Sequence, residues 1–540
     1  MFTLSAIELD NAKEAISRHG YSAMLPQPPE WQVVEANWPA IRDALERIDL
    51  DTYDPQKPLR VFAPKNRASV RLLHMLHPQD LILYTALTLI AKNDIETHRI
   101  PTEGKRVFSY RADTGKDNEL YESRGSYEAY REQLKQRASR RQTRYVAIAD
   151  IADFYPRIYQ HRLENVVESV ATSQRVRDVA RVLVKKLIGN LMGKDSYGIP
   201  VGPYASRLLA EAVLIDVDAS LQSKGVDFVR WVDDYNIFCK TEYEAQSVLF
   251  SLGEWLFSNH GLTLQSAKTK ILTVDDYRRE ILFEHDDQLT DRDSVVEMLR
   301  EWRLSYEEDD GDGDDGDGDG DGDGDGDGDG DADESEVERA LAVLQSTDLK
   351  GMLEASLEDT ALVDYQAVTY ALTKLPRIPG APDALKREVL QLVVANAELL
   401  YPVAEQIAGF VLSFDDLTPS EQKKIATKLL KPLKSKRTPP PPYYAMWILH
   451  IFASSREWNH AQDIVQLFSD SNSEVIRRFA ALAIGASGTR AQAIAVKAAY
   501  SAASPMLKLA ILFASQRLGS DERKHWRLAQ GISGSIEKLV

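Results

Sequence analysis

The chain has 540 residues, 44% of them hydrophobic, which is enough material for more than one hydrophobic core. Its single cysteine, Cys239, excludes an internal disulfide framework and favours a reducing compartment. The net charge of -18 comes from residues 307–338, which contain nineteen Asp or Glu and no Lys or Arg. The rest of the chain has 65 basic and 64 acidic residues, so the net charge does not exclude nucleic acid as a partner.

The beginning of the chain and its apolar runs indicate a soluble, cytoplasmic protein. The first twenty residues mix acidic and basic side chains with apolar ones and lack the basic-then-apolar layout of a secretory signal. Apolar stretches such as residues 82–92 are much shorter than the roughly 20 residues of a membrane span. We therefore expect no membrane association.

Residues 131–144 carry six basic side chains and one acidic one. Arg137, Arg140, Arg141 and Arg144 recur at helical spacing, which predicts that they share one face of a helix. Such a face is either a phosphate-binding track or an ordinary solvated surface, and the sequence favours neither.

Two segments that follow combine apolar runs with polar ends. Residues 144–158, RYVAIADIADFYPRI, predict a buried strand that ends at Asp150. Asp153 fits helix capping or a local turn better than it fits a further catalytic acid. Residues 197–214, YGIPVGPYASRLLAEAVL, predict a glycine-rich turn that leads into an amphipathic helix.

Residues 228–239 predict a strand, a two-residue turn and a second strand, with Asp233 and Asp234 at the tip. Two adjacent carboxylates between apolar residues repel each other, and a bound cation would relieve that repulsion. The alternative is an exposed turn, in which Asp is a favoured residue. The matching tetrapeptide Val274-Asp275-Asp276-Tyr277 precedes two arginines and predicts a solvated turn. Further on, Lys268 lies in a predicted turn between apolar runs.

The acidic insert divides the chain. Its alternating Asp and Gly have nothing to bury and repel one another, which predicts a disordered linker over residues 306–338. A calcium-binding loop is a less favoured interpretation of this insert, because the sequence pattern lacks the closing glutamate and the flanking helices of an EF-hand. Residues 339–540 predict short amphipathic helices throughout, as in an α-solenoid of HEAT-like helix pairs or an irregular helical bundle.

This chain resembles reverse transcriptases over roughly residues 55–275. Motifs A, B, C and D of that family occur here in the same order, as the strand ending in Asp150, the glycine-rich turn and helix, the Asp-Asp hairpin and the Lys268 turn. Residues 61–87 and 106–111 are similar to fingers segments of the same family. The resemblance implies an α+β right-hand polymerase with fingers, palm and thumb over residues 1–305, followed by the all-α HEAT-like domain.

The family's site residues map onto this sequence one by one. Asp150, Asp233 and Asp234 would hold two magnesium ions, with manganese as a possible substitute, and Lys268 resembles the lysine proposed to protonate pyrophosphate. The residues that resemble nucleotide-binding positions are Lys65, Arg71, Tyr155, Gly202 and Ser206. Tyr155 corresponds to the steric gate against a ribose 2′-hydroxyl, which implies deoxynucleotide substrates.

Three positions depart from the common pattern: Val201 replaces Gln, Trp231 replaces Tyr or Phe, and Glu211 replaces Asn. These differences speak against ordinary retroelement copying. The segment GIPVGPYASRLLAE and the C-terminal helices are instead similar to abortive-infection and other defence-associated bacterial reverse transcriptases, of the AbiK and AbiA kind.

This resemblance implies an RNA-directed or template-independent DNA polymerase that acts in antiphage defence. Its expected partners are deoxynucleoside triphosphates, DNA or RNA including a non-coding RNA, and further copies of the chain. The alternative from a different functional class is a nucleic-acid-binding scaffold in which the helical domain does the work and the polymerase site is idle.

Overall fold

The protein is described here by a computed structural model that covers residues 1–65, 69–122, 126–282, 351, 354, 357, 363, 365–377, 382–435, 437, 439–455, 458, 461–532 and 534–540. The predicted linker over residues 306–338 lies outside the described residues.

Six strands form two antiparallel sheets among the described residues. A hairpin of β1 (Leu59–Pro64) and β2 (Val70–Met75) is the smaller sheet. The larger sheet has the order β4-β5-β3-β6. Its members are β3 (Tyr145–Asp150), β4 (Phe228–Trp231), β5 (Asp234–Cys239) and β6 (Lys270–Thr273).

The two faces of the larger sheet are buried in two separate clusters, because side chains alternate across a strand. Ala147, Phe228 and Ile237 point into the main hydrophobic core. Val146, Val229 and Phe238 belong to a second cluster with aromatic residues of the helix Ser126–Ala138. Burial on both faces explains why these strands read as continuous apolar runs in the sequence.

Helices surround both sheets in the first half of the chain. The α-helices are Ala6–His19, Glu30–Ala36, Trp38–Leu45, Pro78–His98, Ser126–Ala138, Phe154–Arg157, Gln160–Val170, Gln174–Ala180, Gly189–Leu191, Ala205–Val213, Ile215–Ser223, Glu242–His260 and Val274–Tyr277. Two π-helical stretches, Arg181–Ile188 and Arg278–Leu282, continue from α-helices. The predicted helix after the glycine-rich turn is confirmed as Ala205–Val213.

The second half is helical, as predicted. Its α-helices are Tyr365–Lys374, Asp383–Ala395, Ala404–Leu412, Pro419–Leu430, Pro442–Ser454, Ala461–Asp470, Glu474–Ser487, Arg490–Lys497, Pro505–Ala514, Ser520–Ala529 and Ser535–Leu539. Pro442–Ser454, Glu474–Ser487 and Pro505–Ala514 pack side by side in sequence order, with shorter helices between them along the chain. This layering is compatible with helix pairs, while a HEAT-like repeat stays a prediction.

The helical half packs directly against the N-terminal half. Pro442–Ser454 and Glu474–Ser487 contact β1, and Glu30–Ala36 contacts Pro505–Ala514. Glu30 and Arg478 form an ion pair whose side chains are both 0% exposed. Because a buried charge needs a partner, this pair ties the two halves in a defined orientation.

Within the described part of the chain, every helix is too short or too polar to cross a lipid bilayer.

Candidate active site

Three carboxylates meet at one end of the larger sheet. Asp150 ends β3 and lies directly opposite Asp234, the first residue of β5. Asp233 stands in the two-residue turn between β4 and β5, and its carbonyl accepts a hydrogen bond from the Ile151 amide at 3.2 Å. The predicted strand and hairpin are therefore confirmed, but the turn residues are Val232 and Asp233 and not the predicted Asp233 and Asp234, because Asp234 pairs with Trp231 as the first residue of β5.

The turn holds a backbone conformation that a β-branched residue rarely adopts. Val232 has φ = 49° in the left-handed region, where its side chain is strained. Two contacts fix this conformation. The Val232 amide donates to the Ser109 hydroxyl at 2.9 Å, and the Arg230 guanidinium donates to the Val232 carbonyl at 2.7 Å. The turn that carries Asp233 is thus held through both peptide units that flank the Val232 Cα atom.

A buried ionic network lies behind this turn. Glu211 accepts hydrogen bonds from the Ser109 hydroxyl at 2.5 Å and from Arg99 at 2.8 Å, and it pairs with Arg230 at 2.9 Å. Arg230 also donates to Asp218 at 2.5 and 2.9 Å. Burial would raise the pKa of Glu211, but Arg230 and Arg99 together keep it below its usual value. Glu211 therefore stays ionised and anchors both arginines.

Sequence reasoning missed the network, although signals were present. Arg230 immediately precedes the Asp-Asp turn, and Glu211 is the departure noted in the glycine-rich segment. Ser109 lies in the segment RVFSYR, whose similarity to the fingers gave no role to that hydroxyl. A serine more than 100 positions from both of its partners cannot be assigned from local pattern.

The electrostatics of the acidic cluster favour a cation. Burial and the neighbouring Asp150 raise the pKa of Asp233, with Lys268 and Arg71 partly offsetting the effect. Burial, Asp233 and Asp150 raise the pKa of Asp234, which also shares a hydrogen bond with Asp150. Raised pKa values mean that the ionised carboxylates lack sufficient compensating positive charge. A divalent cation would supply that charge.

Lys268 supplies part of the compensation in this structure. Its ammonium contacts the Asp150 carboxylate at 2.5 Å. Burial alone would lower the pKa of Lys268, but the hydrogen bond with Asp150 and the nearby Asp234 raise it overall. The predicted turn is confirmed, and the Gln265 amide in the same loop donates to the Asp150 carbonyl at 2.7 Å. Lys268 therefore stays protonated beside the acids, as a proton donor must.

The donor set fits magnesium, which prefers oxygen ligands and commonly uses one or two carboxylates together with substrate phosphates. Among the residues that the structure describes, no three potential ligands already stand in coordinating geometry. Asp150 is engaged by Lys268, so that contact would rearrange when a metal binds. Asp153 is exposed, with φ = 47° and no capping hydrogen bond from its side chain, and it takes no part in the cluster. The assignment of metal ligands stays a prediction.

The predicted triphosphate-binding cations lie on the β1–β2 hairpin. Arg71 is half-buried, opposite Ala63, and close enough to Asp233 to influence its pKa. Lys65 is exposed at the hairpin loop, where its amide donates to the Ser69 carbonyl at 3.0 Å. Arg67, another cation of this loop, lies outside the described residues. The structure thus brings Arg71 to the acidic cluster and leaves Lys65 at the rim.

The glycine-rich turn approaches the N-terminal segment closely. Gly202 has φ = 123°, and a Cβ atom there would lie 2.8 Å from the Ser22 hydroxyl, so only glycine fits. Ser206 is 0% exposed and shares a hydrogen bond of 2.8 Å with Tyr84. This contact packs the helix Ala205–Val213 against Pro78–His98. A nucleotide contact by Ser206 stays a prediction, and in this structure its hydroxyl is occupied elsewhere.

Tyr155 lies beside a cationic and aromatic cluster. Its carbonyl accepts from the Ile199 amide at 3.2 Å, which joins the segment after β3 to the glycine-rich turn. The Arg207 guanidinium lies 4.7 Å from the ring centres of both Tyr110 and Tyr204. Burial raises the pKa of Tyr155, so its hydroxyl stays neutral. The ring is half-buried and lies edge-on to Phe154, with the ring centres 5.8 Å apart, and its role as a steric gate stays a prediction.

Two sequence interpretations of charged segments were wrong. The helix Ser126–Ala138 ends before Arg140, Arg141 and Arg144, so the four arginines do not share a helix face. Arg137 is 4% exposed and pairs with Asp227, which also binds Arg140 at 2.8 Å. Asp227 therefore holds two of the four side chains and compensates one of the four positive charges.

The second Asp-Asp pair is different again. Asp275 and Asp276 lie at the start of the short helix Val274–Tyr277 and not in a loop between two elements. The amide of Asp276 donates to the Thr273 hydroxyl at 3.2 Å, and its carboxylate pairs with Arg279. The predicted turn is therefore wrong, because these residues begin a helix, while Asp275 is solvent-exposed as the sequence context predicted.

Comparison with known proteins agrees with this geometry. Residues 64–303 match the family described as reverse transcriptase (RNA-dependent DNA polymerase). None of the curated proteins compared with the chain matches it.

Two solved structures show limited similarity. Telomerase from Candida albicans, in complex with a fragment of telomeric RNA, is 12% identical with a TM-score of 0.30, over 72% of this chain and 64% of that one. Apo telomerase from Candida tropicalis is 10% identical with a TM-score of 0.31, over 76% of this chain and 72% of that one. Both scores are too low to imply a shared overall architecture. The match over residues 64–303 and the strand, hairpin and lysine geometry within that range together lead to one conclusion: the chain contains a reverse transcriptase domain.

Proposed function

We propose that the chain is a magnesium-dependent polymerase that joins deoxynucleotides into DNA and acts in antiphage defence. The observation that carries the catalytic part is the meeting of Asp150, Asp233 and Asp234 at one end of the sheet, with Lys268 in contact with Asp150. A polymerase needs carboxylates from separate strands at one point, because both the attacking and the leaving oxygen carry developing charge.

Each residue near the cluster has a role that follows from its position. Asp150, Asp233 and Asp234 would hold the divalent cations. Bound there, the cations would activate the attacking 3′-hydroxyl and stabilise the leaving pyrophosphate. Lys268, whose pKa is raised overall by Asp150 and Asp234 against the effect of burial, holds a proton that it can give to the leaving group.

The nucleotide would lie between the β1–β2 hairpin and the acidic cluster. Arg71 and, at the rim, Lys65 offer positive charge to the triphosphate. Tyr155 would exclude a ribose 2′-hydroxyl and so select deoxynucleotides. Gly202 lets the glycine-rich turn run close to its neighbours, whereas Ser206 supports the helix that follows.

The template, the primer and the biological setting rest on the family resemblance. RNA-directed and template-independent synthesis would use the same three acids, so product analysis has to separate them. The resemblance to defence-associated enzymes supports the antiphage role, a cytoplasmic location and partners that include RNA and further copies of the chain. A scaffold with an idle polymerase site is the competing function. The retained acids, Lys268 and Tyr155 favour an active site.

The test uses purified protein, magnesium and labelled deoxynucleoside triphosphates, first without and then with template, primer and cellular RNA. The Asp233→Asn, Asp234→Asn double variant removes two of the three carboxylates of the acidic cluster with almost no change in side-chain size. The Asp275→Asn, Asp276→Asn variant is the matched control, because it alters the same tetrapeptide in a solvated helix start. We expect labelled DNA from the native chain and the control alone. No product from the native chain under any condition would support the scaffold.

The defence role needs a separate measurement. Cells that express the native chain should reduce phage plaque counts, whereas cells that express the Asp233→Asn, Asp234→Asn variant at equal level should not. Equal protection by both would assign defence to the helical half.

A further inference from the structure

His74, on strand β2, holds the backbone of the glycine-rich turn at two points. Its amide donates to the Val201 carbonyl at 2.8 Å, and its ring nitrogen Nδ1 accepts from the Val201 amide at 3.2 Å. One residue, 127 positions earlier in the chain, therefore satisfies both polar groups of the Val201 backbone. His74 is 3% exposed, and hydrogen bonds shielded from water are electrostatically stronger.

His74 joins two segments that the proposed function places beside the nucleotide. Arg71, which offers positive charge to the triphosphate, lies three residues before it on β2. Gly202, where the glycine-rich turn runs close to its neighbours, follows Val201 directly. A Cβ atom at Gly202 would lie 3.5 Å from the His74 carbonyl. The position of the turn relative to the strand of Arg71 therefore depends directly on His74.

The N-terminal segment gives the same two elements a second, looser connection. The Ala23 amide donates to the Gly202 carbonyl at 3.2 Å. The Arg71 guanidinium contacts the sulfur of Met24 at 3.4 Å, and a thioether is a weak acceptor. Because this route is weaker and less direct, we expect His74 to set the spacing. The N-terminal segment limits how far the spacing can change when His74 is replaced.

The ring of His74 has to be neutral to hold the turn. A backbone amide can only donate, so Nδ1 carries no proton and the proton of the neutral ring is on Nε2. Burial, together with the nearby Arg60, lowers the pKa of His74 to about 4, which keeps the ring neutral near pH 7.

This histidine is retained at a cost to packing. Its Nε2 atom is buried and has no hydrogen-bond partner among the residues that the structure describes. A buried donor without an acceptor is unfavourable, so packing alone would favour an apolar side chain at this position. What the imidazole adds over an apolar ring is the acceptor at Nδ1.

The sequence of the turn explains why an acceptor is needed on the strand. The common family pattern has Gln where this chain has Val201. A glutamine side chain can hydrogen-bond to a neighbouring segment, whereas a valine side chain has no polar atom. The turn can therefore bond to β2 at position 201 only through its backbone, and His74 meets both of the groups that the backbone offers.

We propose that His74 is a positioning residue, which fixes the glycine-rich turn against the strand that carries Arg71 and so sets the affinity for the incoming deoxynucleotide. The inference rests on the proposed polymerase function and adds to it a residue outside the acidic cluster. The larger sheet, Ser109 and Arg230 hold the carboxylates, so His74 acts on nucleotide binding and not on the chemical step.

Steady-state incorporation separates these two effects. His74→Phe keeps a planar ring but removes the acceptor, so it should raise KM for the deoxynucleotide about tenfold and leave kcat within about twofold of the native value. His74→Gln should raise KM to a similar extent, because its amide is as many bonds from Cβ as Nε2 is. His74→Asn places an oxygen as many bonds from Cβ as Nδ1 is, so it should restore KM to within about twofold of the native value.

Hydrogen exchange at the Val201 amide reports the same contact without catalysis. Exchange should be slow in the native chain and in His74→Asn, and faster in His74→Phe and His74→Gln. The matched control is His450→Phe in the helical half, which replaces another histidine whose pKa burial lowers to about 4. It should change neither KM nor the exchange of Val201. Because KM does not depend on the amount of folded enzyme, a loss of stability alone cannot produce the expected result.

Two results would overturn the inference. A native KM in His74→Phe would show that the contact does not affect nucleotide binding. An equal rise of KM in His74→Phe and His74→Asn would assign the effect to the shape of the ring and not to its acceptor.

A native chain that makes no DNA would contradict the proposed function instead. The same variants would then be compared by their dissociation constants for a deoxynucleoside triphosphate with magnesium, measured by calorimetry. An affinity that falls in His74→Phe and recovers in His74→Asn would support His74 as the positioning residue. An affinity that does not follow the exchange of Val201, or no binding by the native chain, would overturn the inference.

Discussion

Ser109 fixes the turn that carries Asp233, and replacing it with alanine should reduce catalysis more than it reduces folding. The hydroxyl accepts from the Val232 amide at 2.9 Å and donates to Glu211 at 2.5 Å. Ser109→Ala removes both contacts and leaves the Val232 amide buried without an acceptor. The left-handed conformation of Val232, at φ = 49°, then loses one of its two restraints.

The expected size follows from these contacts. An unsatisfied buried amide costs about 1–3 kcal/mol. Glu211 keeps Arg99 and Arg230, so its charge stays compensated. We therefore expect the free energy of unfolding to fall by about 2 kcal/mol. Strain at Val232, of order 1–3 kcal/mol, favours relaxation of the turn. A displacement of about 1 Å at reacting groups can reduce turnover about 100-fold.

The assay compares steady-state incorporation by the native chain and by Ser109→Ala. We expect kcat to fall about 10- to 100-fold. KM for the deoxynucleotide should change little, because Arg71 and Lys65 lie outside the network. Ser515→Ala is the control, since Ser515 is also buried and its hydroxyl donates to the Leu512 carbonyl at 2.6 Å in the helical half. It should lower stability without lowering kcat.

A second substitution checks the role of backbone strain. Glycine adopts positive φ without steric cost, so Val232→Gly in the Ser109→Ala background should recover part of the lost kcat. The reasoning fails if Ser109→Ala keeps the native kcat, or if kcat falls only in proportion to the unfolded fraction.

Three further predictions concern charge, substrate choice and the joint between the halves. Burial and Asp150 raise the pKa of Asp233 to about 6, compared with about 3.9 in the unfolded chain. In the metal-free protein, protonated Asp233 therefore stabilises the folded state at low pH, and this stability is lost as the pH rises from about 4 to about 6. Asp233→Asn should therefore raise the free energy of unfolding by about 3 kcal/mol at pH 8 and by only about 0.5 kcal/mol at pH 4, as measured by denaturant titration with a chelator, and a pH-independent effect would contradict this. Tyr155→Ala should raise ribonucleotide relative to deoxynucleotide incorporation in competition assays, and an unchanged ratio would exclude Tyr155 as the gate. Glu30→Ala leaves Arg478 buried without its anion and should lower the free energy of unfolding by about 3–5 kcal/mol in denaturant titrations. A Glu30→Leu, Arg478→Met double variant should recover most of that loss, because it removes both buried charges. An equal loss in both variants would show that packing and not charge is responsible.

Local signals in the sequence were sufficient for the elements around the acidic cluster. The apolar run before Asp150 predicted β3, and the spacing around Asp233 predicted the β4–β5 hairpin, because both depend on neighbouring residues. The glycine-rich segment likewise predicted the turn at Gly202, and the polar residues between two apolar runs predicted the turn at Lys268.

Local signals failed where distant partners set the outcome. The spacing of Arg137, Arg140, Arg141 and Arg144 predicted one face, yet the helix ends at Ala138 and Asp227 holds two of these arginines. Periodicity indicates which residues could share a face and not where the helix stops.

The sequence by itself determined the order of the motifs, the strand that ends in Asp150, the Asp-Asp hairpin and the helical character of the second half. Those features follow from the side-chain periods of strands and helices and from local turn chemistry. The tertiary structure decided how the catalytic turn is held, with Ser109 and Glu211 102 residues apart, and how the halves meet, with Glu30 and Arg478 448 residues apart. Buried charges and hydroxyls acquire their partners only when the chain folds, and no local pattern names a partner at such separation.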